Sequence, residues 1–202
     1  MPAFVRTHLT ALRMLLVMTV ILGLAYPLLV TGISQLAFPA RANGSIVKVD
    51  GKPVGSSLLG QRFDLPQSDP SAPAQPDPKW FQPRPSAGGY DPTASGASNL
   101  GPNSADLLKT VQERRAAIAA FDGVDPATVP PDALTASGSG LDPHISTAYA
   151  KQQVNRVARE RGLPAEKLNQ LIEEHTDSRS LGFLGQDGVN VLELNLAVAA
   201  LK

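Results

Sequence analysis

An uncharged stretch near the start of the chain is the strongest constraint on how it can fold. Between Arg13 and Arg41 no side chain is charged, and the 27 residues from Met14 to Ala40 are largely apolar. A helix of about 20 apolar residues crosses the hydrocarbon layer of a membrane. We predict a transmembrane helix over residues 14–36, a short N-terminal segment of residues 1–13 and one domain over residues 37–202.

A cleaved signal peptide is the alternative, since Ala40-Arg41-Ala42 has the small-x-small pattern of a cleavage site. The apolar core of a signal peptide is only about 7–15 residues long, so the length favours an anchor. The flanking charges do not orient the helix, because two basic residues precede it and three soon follow. These residues are Arg6, Arg13, Arg41, Lys48 and Lys52.

Two residues within the stretch are unusual for a membrane helix. Pro27 removes one backbone hydrogen bond and predicts a kink. Gln35 is a polar side chain near the far end. It is either an interfacial residue or a contact with a partner membrane protein.

The charges of the remaining chain exclude several classes of protein. The whole chain has 18 basic and 18 acidic residues, but no acidic residue precedes Asp50, so the part from Asp50 onward carries a net charge of −4. A nucleic-acid-binding protein would cluster Lys and Arg, and this chain does not. The absence of cysteine excludes disulfides, zinc–thiolate sites and a thiol nucleophile.

The domain is predicted to be α+β, mostly helical with a small β-hairpin. Asp50-Gly51 is typical of a tight hairpin turn. Residues 64–92 contain eight prolines and predict an extended loop. Helices are predicted near residues 104–122, 143–161, 164–175 and 190–201, with a strand as the alternative for the last. The predicted boundaries include Asp142 as an N-cap with Pro143 after it, glycines 123 and 162 as terminators, and a cap at Asn190.

The segment from Leu134 to Ser146 contains the residue types of a catalytic site. A local triad is excluded, because His144 and Ser146 point away from each other on a helix. Ser137, Gly138, Ser139 and Gly140 precede the predicted helix, where backbone amides can bind phosphate. The loop lacks the Lys-Ser/Thr of a P-loop, and a packed structural turn is the favoured interpretation. The histidines have no metal-ligand spacing, so no metal site is predicted.

Five longer motifs occur in order along the chain. They are FQPRPSA from Phe81, SGASNLGP from Ser95, TASGSGLDPHIS from Thr135, QVNRVA from Gln153 and VNVLELNL from Val189. Together they resemble the C subunit of the bacterial potassium-transporting P-type ATPase, the Kdp complex. The resemblance covers essentially the whole chain, including the single N-terminal membrane helix.

The resemblance implies a non-catalytic accessory subunit, anchored in the cell inner membrane with its N-terminus in the cytoplasm and its domain outside. It implies three partners: a potassium-channel-like subunit, a P-type ATPase catalytic subunit and a small membrane peptide. The family is described as a catalytic chaperone that raises the affinity of the pump subunit for ATP. Potassium is the substrate of the complex, and no firmly bound cofactor is expected.

The resemblance also supplies candidate site residues. The likeness of Ser137–Gly140 to the ABC-transporter signature makes Ser137, Gly138, Ser139, Gly140 and Asp142 candidates for nucleotide binding, and direct contact with ATP is the alternative function. Partner docking is instead expected at Arg84, Asn99 and His144 in the domain, which would cap an extracellular potassium entrance, and at Gln35 near the end of the membrane helix. For Arg84, an internal salt bridge that braces the Pro-rich loop is the alternative.

Overall fold

The apolar stretch forms one long helix in the computed structural model, which describes residues 1–67, 69 and 71–201. Helix α1 (Ala3–Val20) continues through a π-helical turn (Ile21–Ala25) into α2 (Tyr26–Ala37). These 35 residues include an 18-residue window with a mean hydropathy of 2.3, and no side chain in the helix is buried. The helix is long and apolar enough to cross a membrane, and it begins at Ala3, ahead of the predicted start at Met14.

The helix passes Pro27 by widening the turn before it. Pro27 lies in the first turn of α2 and has no amide hydrogen to donate to the carbonyl of Gly23, four residues earlier. Gly23 belongs to the π-helical turn Ile21–Ala25, in which the hydrogen bonds span five residues instead of four. The short helix α3 (Pro39–Ala42) follows.

The chain divides into two compact units, one ending at Ile46 and the other beginning at Val47. Strands β1 (Ile46–Val49) and β2 (Lys52–Ser56) pair as a hairpin. Asp50 and Gly51 have φ values of 50° and 76°, which confirms the predicted tight turn. Between β2 and the next helix, the described residues contain only an isolated bridge from Asp64 to Pro76, in keeping with the predicted extended loop.

Helices make up most of the second unit. They are α4 (Ala105–Asp122), a 3₁₀ turn (Pro126–Thr128), α5 (Pro131–Leu134), α6 (Thr147–Arg161), α7 (Ala165–Glu174) and α8 (Val191–Ala200). Helices α4 and α6 end at the predicted glycines, and the side chain of Asn190 accepts a hydrogen bond from the amide of Glu193, as predicted for the cap of α8. The C-terminal segment is therefore a helix, and the strand alternative is wrong.

The predicted start of α6 at Asp142-Pro143 is wrong. Helix α6 begins at Thr147, and its N-cap is Ser146, whose hydroxyl accepts from the amide of Tyr149 at 3.0 Å. Asp142 instead accepts from the amide of His144 at 2.9 Å, so its carboxylate closes a short turn. The backbone then extends, because His144 and Ile145 pair with a neighbouring strand.

That pairing belongs to a three-stranded antiparallel sheet with the order β3 (His144–Ile145), β5 (Gly188–Asn190), β4 (Thr176–Asp177). The central strand carries Val189, which is fully buried. The core joins this sheet to α6, α7 and α8. Its large side chains include Phe81, Ile145, Val157, Leu168, Ile172, Val189, Leu194 and Val198. Burial of these side chains packs the sheet against the helices and so holds β3, and the loop that leads into it, in place.

Candidate functional site

Arg84 joins the Pro-rich segment to the loop before β3. Its Nη1 donates to Asp142 Oδ2 at 2.8 Å, and its Nη2 donates to the carbonyl of Thr135 at 3.4 Å. The carbonyl of Arg84 in turn accepts from the Tyr90 hydroxyl. Two predicted site residues, Arg84 and Asp142, thus form an internal ion pair that braces both loops.

The carboxylate of Asp142 lies next to two basic side chains, Arg84 and His144. Burial by itself would raise its pKa, but the His144 side chain and amide and the Arg84 guanidinium favour the charged form and lower the pKa to about 2. His144 Nδ1 lies 3.8 Å from Asp142 Oδ1, and His144 Nε2 lies 3.0 Å from Asp177 Oδ2. These two carboxylates raise the pKa of His144 against the opposing effect of burial.

The loop Ser137–Gly140 uses its polar groups on its own neighbours. The Ser137 hydroxyl accepts from the amide of Gly140 at 2.8 Å, and the Ser139 hydroxyl accepts from the amide of Leu141 at 3.1 Å. The carbonyl of Ser139 accepts from Gly96. The loop leads into β3 and not into a helix, so these amides do not form the helix N-terminus that phosphate binding was expected to use.

Gly140 packs closely against a neighbouring loop. Its φ of +71° lies in the left-handed region, and a Cβ built there would lie 2.7 Å from the carbonyl oxygen of Gly96. Its own carbonyl accepts from the Ser86 hydroxyl at 2.7 Å. The loops that carry Arg84, Ser95 and Ser137 therefore form one braced surface, which we call the loop cluster (residues 84–99 and 135–144).

The other two predicted docking residues lie apart from these contacts. Asn99 is exposed at the edge of the loop cluster, with a φ of 52° that asparagine tolerates better than most residues. Gln35 lies in the first unit, where its side-chain amide exchanges two hydrogen bonds with that of Asn43, at 3.2 and 3.0 Å. The polar group near the end of the apolar helix is thus paired within the chain.

An open cleft of about 700 Å³ borders the loop cluster. Its lining includes Arg84, Asp142 and His144, and also Asp132, Asp177 and Asp187. The hydroxyl of Ser146 donates to Asp132 at 2.8 Å, which ties this serine to a carboxylate and not to His144. Among the described residues, no group of three or more acidic, histidine or cysteine side chains is placed to hold a metal ion.

A buried polar network around Arg156 was not predicted from the sequence. Arg156 Nε donates to Asp122 Oδ1 at 2.8 Å, its Nη1 donates to the carbonyls of Pro78 and Trp80, and its Nη2 donates to Gln153 Oε1. The guanidinium also lies 4.4 Å above the ring of Phe121. A fully buried arginine is thereby satisfied on all three of its nitrogens.

Two buried amide side chains extend the network along the Pro-rich segment. Asn195 bonds both the amide and the carbonyl of Phe81, each at 2.9 Å. Gln153 does the same for Gln82, at 2.7 Å from the amide and 3.1 Å to the carbonyl. They replace the partner strand that a segment of extended chain would otherwise need. The signal for this network was polar residues on apolar faces: Gln153 and Arg156 alternate with Val154 and Val157, and Asn195 interrupts a run of apolar residues.

Comparison with known proteins places this architecture in a family. The chain matches the family described as KdpC, K⁺-transporting ATPase, c chain, over residues 8–200. It is 60% identical over 191 residues to the potassium-transporting ATPase KdpC subunit of Kineococcus radiotolerans, covering 94% of this chain and 91% of that protein. The protein of the same name from Streptomyces coelicolor is 48% identical over 209 residues, with 97% and 93% covered.

A third relative comes from Polaromonas naphthalenivorans. This potassium-transporting ATPase KdpC subunit is 52% identical over 195 residues, covering 95% of this chain and 93% of that protein. The similarity therefore includes the apolar helix, the Pro-rich segment and the helical core together. The chain belongs to the KdpC family, the c chain of the potassium-transporting ATPase.

Proposed function

We propose that this chain is a non-catalytic accessory subunit of an ATP-driven, high-affinity potassium importer, needed for the assembly and stability of the complex. The observation that carries the proposal is the family match over residues 8–200. The local geometry supports it: the Asp, His and Ser side chains around residues 142–146 are bonded to Arg84, Asp177 and Asp132, an arrangement that stabilises loops. A surface of stable loops suits contact with another protein.

The partners follow from the same proposal: a potassium-channel-like subunit, a P-type ATPase catalytic subunit and a small membrane peptide. The test is to tag this chain, solubilise its membranes in mild detergent and identify the chains that co-purify. Recovery of a channel-like and an ATPase subunit is the expected result. Recovery of this chain alone from intact membranes would contradict the proposal.

In the proposed topology residues 14–36 of the helix Ala3–Ala37 cross the inner membrane, with residues 1–13 in the cytoplasm and residues 37–202 outside. The helix has the required length, about 50 Å at 1.5 Å per residue. Reporter fusions after Lys202 test the topology. Activity of a periplasm-specific reporter is expected, and activity of a cytoplasm-specific reporter would overturn the external position.

An external domain is suited to capping the potassium entrance of the channel-like subunit. The net charge of −4 from Asp50 onward would modestly enrich cations there, within a screening length of about 10 Å. Neutralising exposed carboxylates outside the loop contacts, for example Glu173→Gln with Glu174→Gln, is expected to raise the potassium concentration needed for half-maximal transport. Unchanged potassium dependence would sink the capping role while leaving the assembly role intact.

The alternative function is direct nucleotide binding through Ser137–Gly140, as part of a chaperone action on the ATP affinity of the pump subunit. It has less support, because the amides of Gly140 and Leu141 already donate to serine hydroxyls of the same loop. With an external domain, any effect on ATP affinity would instead have to pass through the membrane helices. Photolabelling of the complex with azido-ATP separates the two: label on residues 137–142 would favour the alternative.

A further inference from the structure

The hairpin between β4 and β5 ends in an exposed apolar tip. Leu181 is 82% exposed, Phe183 70% and Leu184 51%, and the first two are the most exposed large apolar side chains described in the second unit. Single exposed leucines are ordinary on protein surfaces, but three large apolar side chains within four residues form a patch.

The tip is held in a defined conformation. Ser180 and Leu184 form an isolated antiparallel bridge, with the amide of each bonded to the carbonyl of the other at 2.9 Å. Leu181 has a φ of +55°, a left-handed conformation that is unfavourable for leucine. A turn that needs a left-handed residue would ordinarily use Gly or Asn there, so the leucine is kept at a conformational cost and its side chain points into solvent.

The base of the hairpin is attached firmly to the domain. Asp177 bonds the His144 ring at 3.0 Å, and strand β5 pairs with β3 through Ile145 and the buried Val189. Within the hairpin, the Asp187 side chain accepts from the amide of Arg179 at 3.1 Å. The apolar tip therefore projects from a fixed support, which lowers the entropy lost when it binds a partner.

The charges around the tip distinguish between possible partners. Residues 177–187 contain two aspartates and one arginine, and no lysine. Elements that bind membrane surfaces carry basic residues to attract anionic lipids, so a net negative hairpin is a poor membrane anchor. A protein pocket that is apolar with a basic rim complements it better.

We infer that the tip formed by Leu181, Phe183 and Leu184 docks into an apolar, basic-rimmed pocket on another subunit of the same ATPase. This inference rests on the proposed function, since the family is that of a chain within a multi-subunit ATPase. The sequence predicted docking at the loop cluster. The inference assigns the contact to the β4–β5 hairpin, which lies outside that cluster.

The test uses a hairpin variant that carries both Leu181→Asn and Phe183→Ser. The control variant carries Leu108→Ser on α4. Leu108 is also exposed, at 59%, but is not part of the tip. Asn tolerates a positive φ, so the hairpin variant is expected to fold at least as well as the parent chain. In tagged full complexes purified in mild detergent, we expect the hairpin variant to recover at least about tenfold less partner subunit, and the control to recover the normal amount.

Unchanged recovery of partners by the hairpin variant would overturn the inference but not the proposed function. Loss of partners from the parent chain itself would instead refute the proposed function. A second readout places the photocrosslinker benzoylphenylalanine at position 183 of the full complex, with position 108 as the control. A crosslink to another subunit supports docking, whereas crosslinks to lipid or to a second copy of this chain would overturn it.

Discussion

The guanidinium of Arg156 bonds the carboxylate of Asp122 at 2.8 Å, with the two side chains 0% and 1% exposed. This ion pair joins α6 to the end of α4, and the same arginine bonds the carbonyls of Pro78 and Trp80. One buried cation therefore connects two helices to the Pro-rich segment.

Removing the partner of this cation should be costly. Asp122→Ala leaves Arg156 buried and unpaired, and we expect the free energy of unfolding to fall by about 3–5 kcal/mol. Glu113→Gln is the control, since the Lys109–Glu113 pair is exposed, at 75% and 65%, and worth at most about 1 kcal/mol. Denaturant unfolding of the full chain in detergent micelles measures both, and equal losses in the two variants would contradict the role of the buried pair.

Asn195 should control the order of the Pro-rich segment. Asn195→Ala leaves the amide and carbonyl of Phe81 without their partners, at a cost of about 1–3 kcal/mol. We expect faster hydrogen exchange at the Phe81 amide and faster proteolysis within residues 64–92. Asn169→Ala, which removes only a bond to the carbonyl of Ala165 within α7, should change neither rate. Unaltered exchange at Phe81 in the first variant would refute the assignment.

The two carboxylates beside His144 predict a pH dependence of stability. Because the folded protein raises the pKa of His144 above 6.5, its contribution is complete below that value and is lost as the pH rises through the folded pKa. His144→Asn should therefore lower the melting temperature at about pH 5.5 more than at about pH 8. An equal reduction at both pH values would rule out the charged contact with Asp142 and Asp177.

The lowered pKa of Asp142 predicts a loss of stability at acidic pH, whereas the contribution of His144 is lost at higher pH. The pKa of Asp142 is about 2 in the folded chain against an ordinary 3.8, so its contribution is present above the higher value and is lost as the pH falls toward the lower one. Asp142→Asn should consequently lose the least relative to the parent chain near pH 2. Thermal melts over the acidic range measure this, and a constant difference between the two proteins would contradict it.

Gly140 and Gly138 form a matched pair within one loop. Gly140→Ala places a Cβ 2.7 Å from the Gly96 carbonyl at a φ of +71°, whereas a Cβ at Gly138 meets nothing within 4 Å. We expect Gly140→Ala to lose at least about 1–2 kcal/mol of stability and to impair growth at limiting potassium, and Gly138→Ala to do neither. If Gly138→Ala impaired growth equally without loss of stability, direct ligand contact by this loop would be favoured over a packing role.

Local signals predicted much of this fold. The Asp50-Gly51 turn, the glycines after α4 and α6 and the Asn190 cap each depend on residues close in sequence, and each is found as predicted. The apolar stretch forms a helix that begins at Ala3. Asp142 was assigned wrongly because an aspartate before a proline suits both a helix cap and a turn. The pairing of His144 with Asn190, 46 residues away in the sequence, favours the turn over the helix cap.

The candidate site was less predictable for the same reason. Arg84 and Asp142 were identified separately, but their ion pair joins residues 58 apart in the sequence. The buried network is still less local, since Arg156 reaches Pro78 and Asn195 reaches Phe81. A single sequence shows that such polar residues interrupt apolar faces, but their partners are selected only when the helices pack together.

The hydrogen bonds between Asn195 and Phe81 can form only after α8 has been synthesised. The two residues are 114 positions apart, so the Pro-rich segment leaves the ribosome long before α8 exists to hold it. During that interval its eight prolines prevent it from pairing as a strand with neighbouring chains. We therefore expect the prolines that exclude regular structure from this segment to limit strand-like aggregation of the nascent chain until α8 has been made.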